Sequence, residues 1–383
     1  MKTIDRRRFC RVAAGAAVAT TLLPGASGRL AAQEQTNEVK SSPVIYRTLG
    51  RTGLSCSILG FGAMRSSDPG VIRRAIELGV NNIDTARGYM DGENEVIVGK
   101  AIQGRRPQLV ITTKIRAASK ERMIADAEAS LKALGTDYLD ILLVHSFKNT
   151  GDLAQPESLE ALAELKKTGK TRYVGFSTHT NMADLLRAAA KNPENPYDVI
   201  LTVYNFTSNS DVGDAIHEAA CAGIGIVAMK TQAGGYKEKK MGNLRPHPAA
   251  LRWVLNNSDV SCAIPAMLTF EQLEENFQVM NGSFGWMDRR TLHRYGQAID
   301  RKMCRFCGAC TGQCPHGVSV ADLTRCLIYN DGYGDPKLAA ATYAELNHRQ
   351  TPEACLSCAE CVVRCAYGLP VAENMRRAMK LFA

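Results

Sequence analysis

The sequence predicts an α/β chain, a TIM (β/α)8 barrel followed by a small, mainly α-helical domain. Three observations in its 383 residues carry that expectation. Eight short apolar, β-rich runs alternate with helical ones between residue 44 and about 285, polar residues recur where those runs end, and two cysteine runs of one rhythm follow the last of them. Eight βα units of about thirty residues fit a barrel; a doubly wound sheet is the second choice. The length suffices for one large and one small domain. The boundaries read as 1–32 for a leader, 33–43 for a linker, 44–290 for the barrel and 291–383 for the C-terminal domain.

The formal charge of +9 is concentrated in the leader. Residues 1–32 hold Lys2, Arg6, Arg7, Arg8, Arg11 and Arg29 against Asp5, which leaves +4 on the remainder. That is too little to argue for a nucleic-acid partner. Asp5-Arg6-Arg7-Arg8-Phe9-Cys10-Arg11, ahead of the apolar small-residue run 12–23, resembles a twin-arginine export signal with Arg6 and Arg7 as the pair. The run is too short for a stable membrane span. Small residues at 26–28 and 31–32 offer cleavage points. The resemblance implies the twin-arginine translocase as a partner and a periplasmic or otherwise exported location. Residues 33–43 have the polar, Pro-containing composition of a linker.

Within the barrel the strand-like runs fall at 57–61, 80–85, 109–114, 139–145, 172–177, 199–205, 224–230 and 260–265. Helical patterns lie between and after them, at 69–78, 93–102, 121–134, 158–167, 182–190, 212–220, 248–256 and 270–280. Barrel chemistry sits where strands end at the C-terminal face. There the sequence places Asp84 with Tyr89 five residues on, then Lys114, then His145. A single such residue is more often a satisfied core group; four at three adjacent strand ends make a candidate site.

Asn82-Ile83-Asp84-Thr85-Ala86-x-x-Tyr89, Thr113-Lys114 and Leu143-Val144-His145 resemble motifs of the aldo-keto reductases, which are NAD(P)-dependent TIM barrels. Leu49-Gly50-Arg51-Thr52-Gly53-Leu54 and Leu59-Gly60-Phe61-Gly62 are similar to that family's N-terminal segment, and the resemblance covers about residues 45 to 282. It implies a small-molecule carbonyl or alcohol substrate and a nicotinamide cofactor. Tyr89 would be the proton donor, Lys114 the cation that lowers the phenol's pKa from its usual value near 10, Asp84 the counter-charge, and His145 the donor that orients a carbonyl. For the cofactor, Ser177 and Asn205 are kept, whereas Leu201 and Met229 stand where a glutamine and a stacking tyrosine are usual. Lys230 reads equally as a substrate or phosphate contact or as a rim lysine. Glu275 and Asn276 are kept as adenosine-end contacts, but Ala266 and Gln272 replace the usual cations for a 2′-phosphate. Two such bonds are worth about 1.5–3 kcal/mol each, so NAD and NADP both remain open.

The tail carries Cys304-x2-Cys307-x2-Cys310-x3-Cys314-Pro315 and Cys355-x2-Cys358-x2-Cys361-x3-Cys365. Two such runs form a ferredoxin signature, in which the fourth cysteine of each run ligates the other run's cluster. On that rule Cys304, Cys307, Cys310 and Cys365 hold one 4Fe–4S cluster, and Cys314, Cys355, Cys358 and Cys361 the second. A zinc ribbon or disulfide framework needs neither this rhythm nor Pro315. Ala366 stands in the second run where the first has Pro315. The tail, with Tyr329-Asn330-Asp331-Gly332-Tyr333-Gly334 between the runs, resembles the aldo-keto reductase branch fused to a helical ferredoxin-like domain. Cys56, Cys221, Cys262 and Cys326 lack metal spacing and read as small core residues.

Two functions are consistent with these residues. One is an exported reductase with two clusters, a redox partner protein, and a tightly bound dinucleotide, since free nicotinamide is scarce outside the cytoplasm. The other is an iron–sulfur electron-transfer protein whose barrel is a docking scaffold.

Overall fold

The computed structural model describes residues 43–235, 244–347 and 350–383. The leader and most of the linker lie outside those residues. From Ser41 onward the chain forms one compact unit.

A short antiparallel hairpin, β1 (Tyr46–Thr48) and β2 (Ser55–Ser57), opens the described chain. Eight parallel strands follow: β3 (Phe61–Gly62), β4 (Asn82–Asp84), β5 (Val110–Ile115), β6 (Leu139–Phe147), β7 (Thr171–Thr178), β8 (Val199–Val203), β9 (Gly225–Met229) and β10 (Cys262–Ala263). They pair in chain order, and parallel bridges Leu59–Ala263 and Gly62–Ala266 join the last to the first, closing the barrel. Six of these strands, β3, β4, β5, β8, β9 and β10, are buried along their whole length. Strands covered on both faces are what continuous apolar runs encode. The first expected strand, 57–61, is divided: Ser57 belongs to the hairpin and only Phe61 to the barrel.

Helices α1 (Pro69–Glu77), α2 (Glu93–Ile102), α3 (Lys120–Leu134), α4 (Pro156–Lys167), α5 (Met182–Lys191), α6 (Ser210–Cys221), α7 (Pro246–Leu255) and α8 (Phe270–Phe277) alternate with the strands. Their ends follow local chemistry. Asp68 and Ser119 accept backbone N–H bonds at the starts of α1 and α3, and Gly135 stops α3 in the left-handed conformation. Helix α9 (Trp286–Ile299) crosses the expected 290/291 boundary and is tied to α7 by the Arg252–Asp288 ion pair at 2.7 Å. The barrel's last element therefore extends to 299.

The tail forms α10 (Val320–Asp331), α11 (Pro336–Ala344) and α12 (Val371–Phe382). It has its own small core of Val318, Val320, Leu323, Leu327, Val363, Val371, Met375 and Ala378. Of the four described cysteines outside the runs, Cys56, Cys262 and Cys326 are buried as expected, but Cys221 is exposed at the end of α6. No helix among the described residues is long and apolar enough to cross a membrane.

Candidate active site

Asp84, Tyr89, Lys114 and His145 converge at the C-terminal end of the barrel. Lys114, 1 % exposed, donates to Asp84 Oδ1 at 2.5 Å, to the Thr85 carbonyl at 2.7 Å and toward the Tyr89 hydroxyl at 3.4 Å. The His145 ring meets Tyr89 edge-on with centroids 5.8 Å apart. Two local distortions aim these groups. Tyr89 opens a tight turn in which Met90 and Asp91 adopt left-handed conformations. His145 lies in the irregular end of β6, beside Ser146 at φ 64°. Bulges and strained backbone re-aim side chains in this way at functional sites.

The electrostatics differ from expectation in one respect. The Tyr89 phenol is held well above its ordinary range, chiefly by burial and then by the Asp84 and Glu345 charges. The strongest opposing influence is Arg325, not Lys114. Lys114 is itself pushed down by burial while Asp84 is pushed up, each restrained by the other. Lys114 thus does not make Tyr89 acidic at rest; it stands where a phenolate would form. Burial, followed by the Lys114 charge, holds His145 well below its ordinary value, so its ring is neutral.

Beside these groups opens a cavity of about 490 Å³, lined by Asp84, Tyr89 and His179 at one end and Gln272, Glu275 and Asn276 at the other. Met229, Lys230, Leu201 and Ala266 also face it. Ser177 and Asn205 do not. The Ser177 hydroxyl accepts from Ser146 N–H at 2.9 Å, and the Asn205 amide is spent on Lys230 O and Thr207. Gln272 accepts from Leu268 N–H at 2.7 Å and Asn276 from Gln232 at 2.8 Å. Two buried polar atoms lining the cavity, Thr231 Oγ1 and His247 Nε2, have no hydrogen-bond partner. Orphaned polar atoms facing a long cavity are what a polar, elongated ligand such as a dinucleotide would satisfy. A larger cleft of about 680 Å³, lined by Phe206, Trp253, Arg289 and Tyr367, contains none of the four catalytic candidates.

The tail covers this mouth. Arg65 after β3 donates to Asp335 and to the Tyr333 carbonyl, Arg116 after β5 pairs with Glu345, and Lys148 after β6 pairs with Asp322. After β9, Lys230 donates to the Tyr329 hydroxyl at 2.7 Å. Tyr333 and its neighbours Gly332 and Gly334 line the cavity. Reading strand ends alone missed His179, two residues beyond Ser177, and the tail residues Arg325, Tyr329 and Tyr333. His179 was within reach of the strand-end rule; the tail residues are set by tertiary packing that no spacing announces.

The run cysteines fall into two electrostatic neighbourhoods. Burial pushes the Cys304 thiol up to about 12, and the Cys310, Cys307 and Cys365 thiols add to the shift. Cys355 is raised by burial and then by Cys314, Cys358 and Cys361. Backbone N–H groups of Phe306 and Tyr367 donate to the sulfurs of Cys304 and Cys365. Gly308 lies so close to Asn181 that a Cβ would sit 1.8 Å from its side-chain oxygen. The first cysteine loop is thereby pressed against the barrel just after β7. Among the described residues no three His, Cys, Asp or Glu side chains converge tightly enough for a single metal ion. A cubane is bulkier than an ion and spreads its ligands further apart.

Comparison with known proteins agrees with the barrel and its tetrad. The family model described as "Aldo/keto reductase family" matches residues 64–248. The chain is 30 % identical over 295 residues to L-galactose dehydrogenase of Arabidopsis thaliana, covering 64 % of this chain and 91 % of that one. It is 31 % identical over 249 residues to methylglyoxal reductase DkgB of Escherichia coli O157:H7, covering 61 % and 90 %. Among solved structures, aldo-keto reductase AKR11C1 from Bacillus halodurans superposes with a TM-score of 0.56 at 25 % identity, covering 66 % of this chain and 96 % of its own. The fold and site define an oxidoreductase of the (β/α)8 class. The chain belongs to the aldo-keto reductase family, whose members are NAD(P)-dependent oxidoreductases.

Proposed function

We propose that this is an exported aldo-keto reductase that reduces a small carbonyl compound, or oxidises the corresponding alcohol, with a tightly held nicotinamide dinucleotide. The observation that carries the reading is the Asp84–Lys114–Tyr89–His145 constellation at the end of a cavity with two orphaned polar atoms. The dinucleotide would lie along Met229, Leu201, Gln272, Glu275 and Asn276, with Thr231 and His247 offering free polar atoms. A bound nicotinamide supplies hydride to the carbonyl carbon. Tyr89, protonated at neutral pH, donates to the carbonyl oxygen, and Lys114 stabilises the phenolate left behind. His145, neutral, orients the same oxygen through a ring N–H. The scaffold alternative gives no reason for the tetrad to be assembled.

Export is proposed from Arg6, Arg7 and Phe9, which lie outside the described residues. Two 4Fe–4S clusters are proposed from the two cysteine foursomes, whose mutual electrostatic neighbours match the exchange of fourth ligands. They would supply one-electron exchange with a redox partner protein. Anaerobically purified protein should release NAD or NADP on denaturation and oxidise NADPH or NADH in the presence of a reactive aldehyde. Protein that neither contains nor binds either dinucleotide would refute the reductase reading.

A further inference from the structure

Most cations around the catalytic mouth have a carboxylate partner. Lys114 is matched by Asp84, Arg116 by Glu345 and Arg65 by Asp335. Arg325 and Lys148 share the single carboxylate of Asp322, at 3.0 Å and 2.9 Å. Lys230 has no carboxylate partner among the described residues. Its ammonium bonds the Tyr329 hydroxyl and faces the Tyr329 and Tyr333 rings, 4.5 Å and 5.8 Å from their centroids.

Three features show that Lys230 is held there. Its backbone is left-handed, φ 53°, at the end of β9, a conformation that a lysine adopts only under constraint. Asn205 fixes its carbonyl at 3.1 Å. Tyr329, from a different part of the chain, fixes its other end. Lys230 lines the same cavity as Tyr89 and His179. Arg325 is nearby, its side chain 11 % exposed and its Nε buried without a hydrogen-bond partner. Its charge bears on Tyr89, His179 and Lys230.

We infer that the substrate is an anion, a carbonyl compound bearing a carboxylate next to the reacting carbon, and that Lys230, oriented by Tyr329, binds that carboxylate. The inference rests on the reductase reading of the same site and assigns the tail a part in substrate recognition. Burial and then the Arg325 charge push the Lys230 amine well down, so an arriving carboxylate would favour its protonated form. A carboxylate bridging Lys230 and the Tyr329 hydroxyl would leave its neighbouring carbonyl on the side of Tyr89 and His145. Reduction would add hydride to the carbonyl carbon and a proton from Tyr89 to its oxygen, turning a 2-oxo acid into a 2-hydroxy acid.

The test compares pyruvate with methyl pyruvate, which keeps the carbonyl and removes the charge, using the whole anaerobically purified protein. The ratio of their kcat/KM values should fall roughly tenfold or more in Lys230→Met, the loss expected for a charge-assisted hydrogen bond. Calorimetric binding of oxamate to the same proteins should weaken by a similar factor in Lys230→Met and recover in Lys230→Arg. Lys230→Gln serves if Lys230→Met fails to fold, and should weaken oxamate as well. Unchanged ratios with unchanged oxamate affinity overturn the inference while leaving the reductase reading intact. Inorganic phosphate binding as tightly as oxamate overturns the carboxylate assignment. Lys230-dependent oxamate binding in a protein that reduces no carbonyl compound keeps the carboxylate subsite and defeats the reductase reading.

Discussion

At Tyr89 burial and charge act against each other, and burial prevails. The phenol is surrounded by Asp84, Glu345 and Tyr333, all of which oppose ionisation, with Arg325 the main counterweight. A phenol kept protonated is a competent donor only if its anion is stabilised as it forms, and the Lys114 ammonium 3.4 Å away does this. Tyr89→Phe should therefore retain the dinucleotide yet lose carbonyl reduction by about 10²–10⁴-fold; turnover at the parent rate would show that the proton comes from elsewhere. The neighbouring histidines lead to a pH prediction. His145 and His179 are held well below their ordinary value, first by burial and then by Lys114 and Arg325 respectively. Unfolded histidine titrates near 6.5, so below that pH the unfolded chain takes up protons that the folded one refuses. The stability these two residues contribute is complete above about pH 6.5 and declines as the pH falls beneath it. The melting temperature of a His145→Gln/His179→Gln variant should fall less steeply than the parent's between about pH 6.5 and 5; parallel curves would contradict the assignment.

Elements differ in how far their sequence determines them. The barrel strands were legible because a parallel strand covered on both faces is mostly apolar, and β5, β8 and β9 are buried at every residue. The hairpin β1–β2 was not, since three-residue strands with half-exposed faces have no period to read. The boundary at 290/291 failed because α9 is held by a tertiary ion pair, Arg252–Asp288, rather than by any local stop signal. At the site, strand ends announced Asp84, Lys114 and His145, whereas Ser177 and Asn205 proved to serve neighbouring backbone and side-chain groups. The proposed leader lies outside the described residues and rests on composition alone: a twin-arginine pair before a short apolar run would suit a route that carries folded proteins, as clusters assembled before export would need. Changing Arg6 and Arg7 together to lysine should leave the precursor in the cytoplasm, detected by fractionation and blotting, and undiminished export would remove that reading.

Across the molecule, barrel and tail share one site. Strand-end cations Arg65, Arg116 and Lys148 each pair with a tail carboxylate, so the tail is docked on the mouth by charge, and α10 brings Tyr329 to the Lys230 ammonium. Cys304 packs against the barrel core, whereas Cys310, Cys314, Cys355, Cys361 and Cys365 pack against the tail's own core. The first proposed cluster would therefore bridge the two cores while the second would lie on the tail's core, the two coupled by their exchanged ligands. Cys314 belongs by sequence to the first run and by electrostatic neighbourhood to Cys355. In Cys314→Ser, iron and sulfide should drop from about eight each per chain toward about four, and the surviving cluster should be the one held by Cys304, Cys307, Cys310 and Cys365. Local ligation predicts the reverse, loss of the cluster nearest the barrel. A second variant, Cys365→Ser, separates the two, since exchange then requires the barrel-side cluster to be lost while the one at Cys355, Cys358 and Cys361 remains. Because Gly308 of the first loop presses on Asn181, two residues beyond His179, that loss should also disturb the catalytic mouth, whereas Cys314→Ser should affect it less.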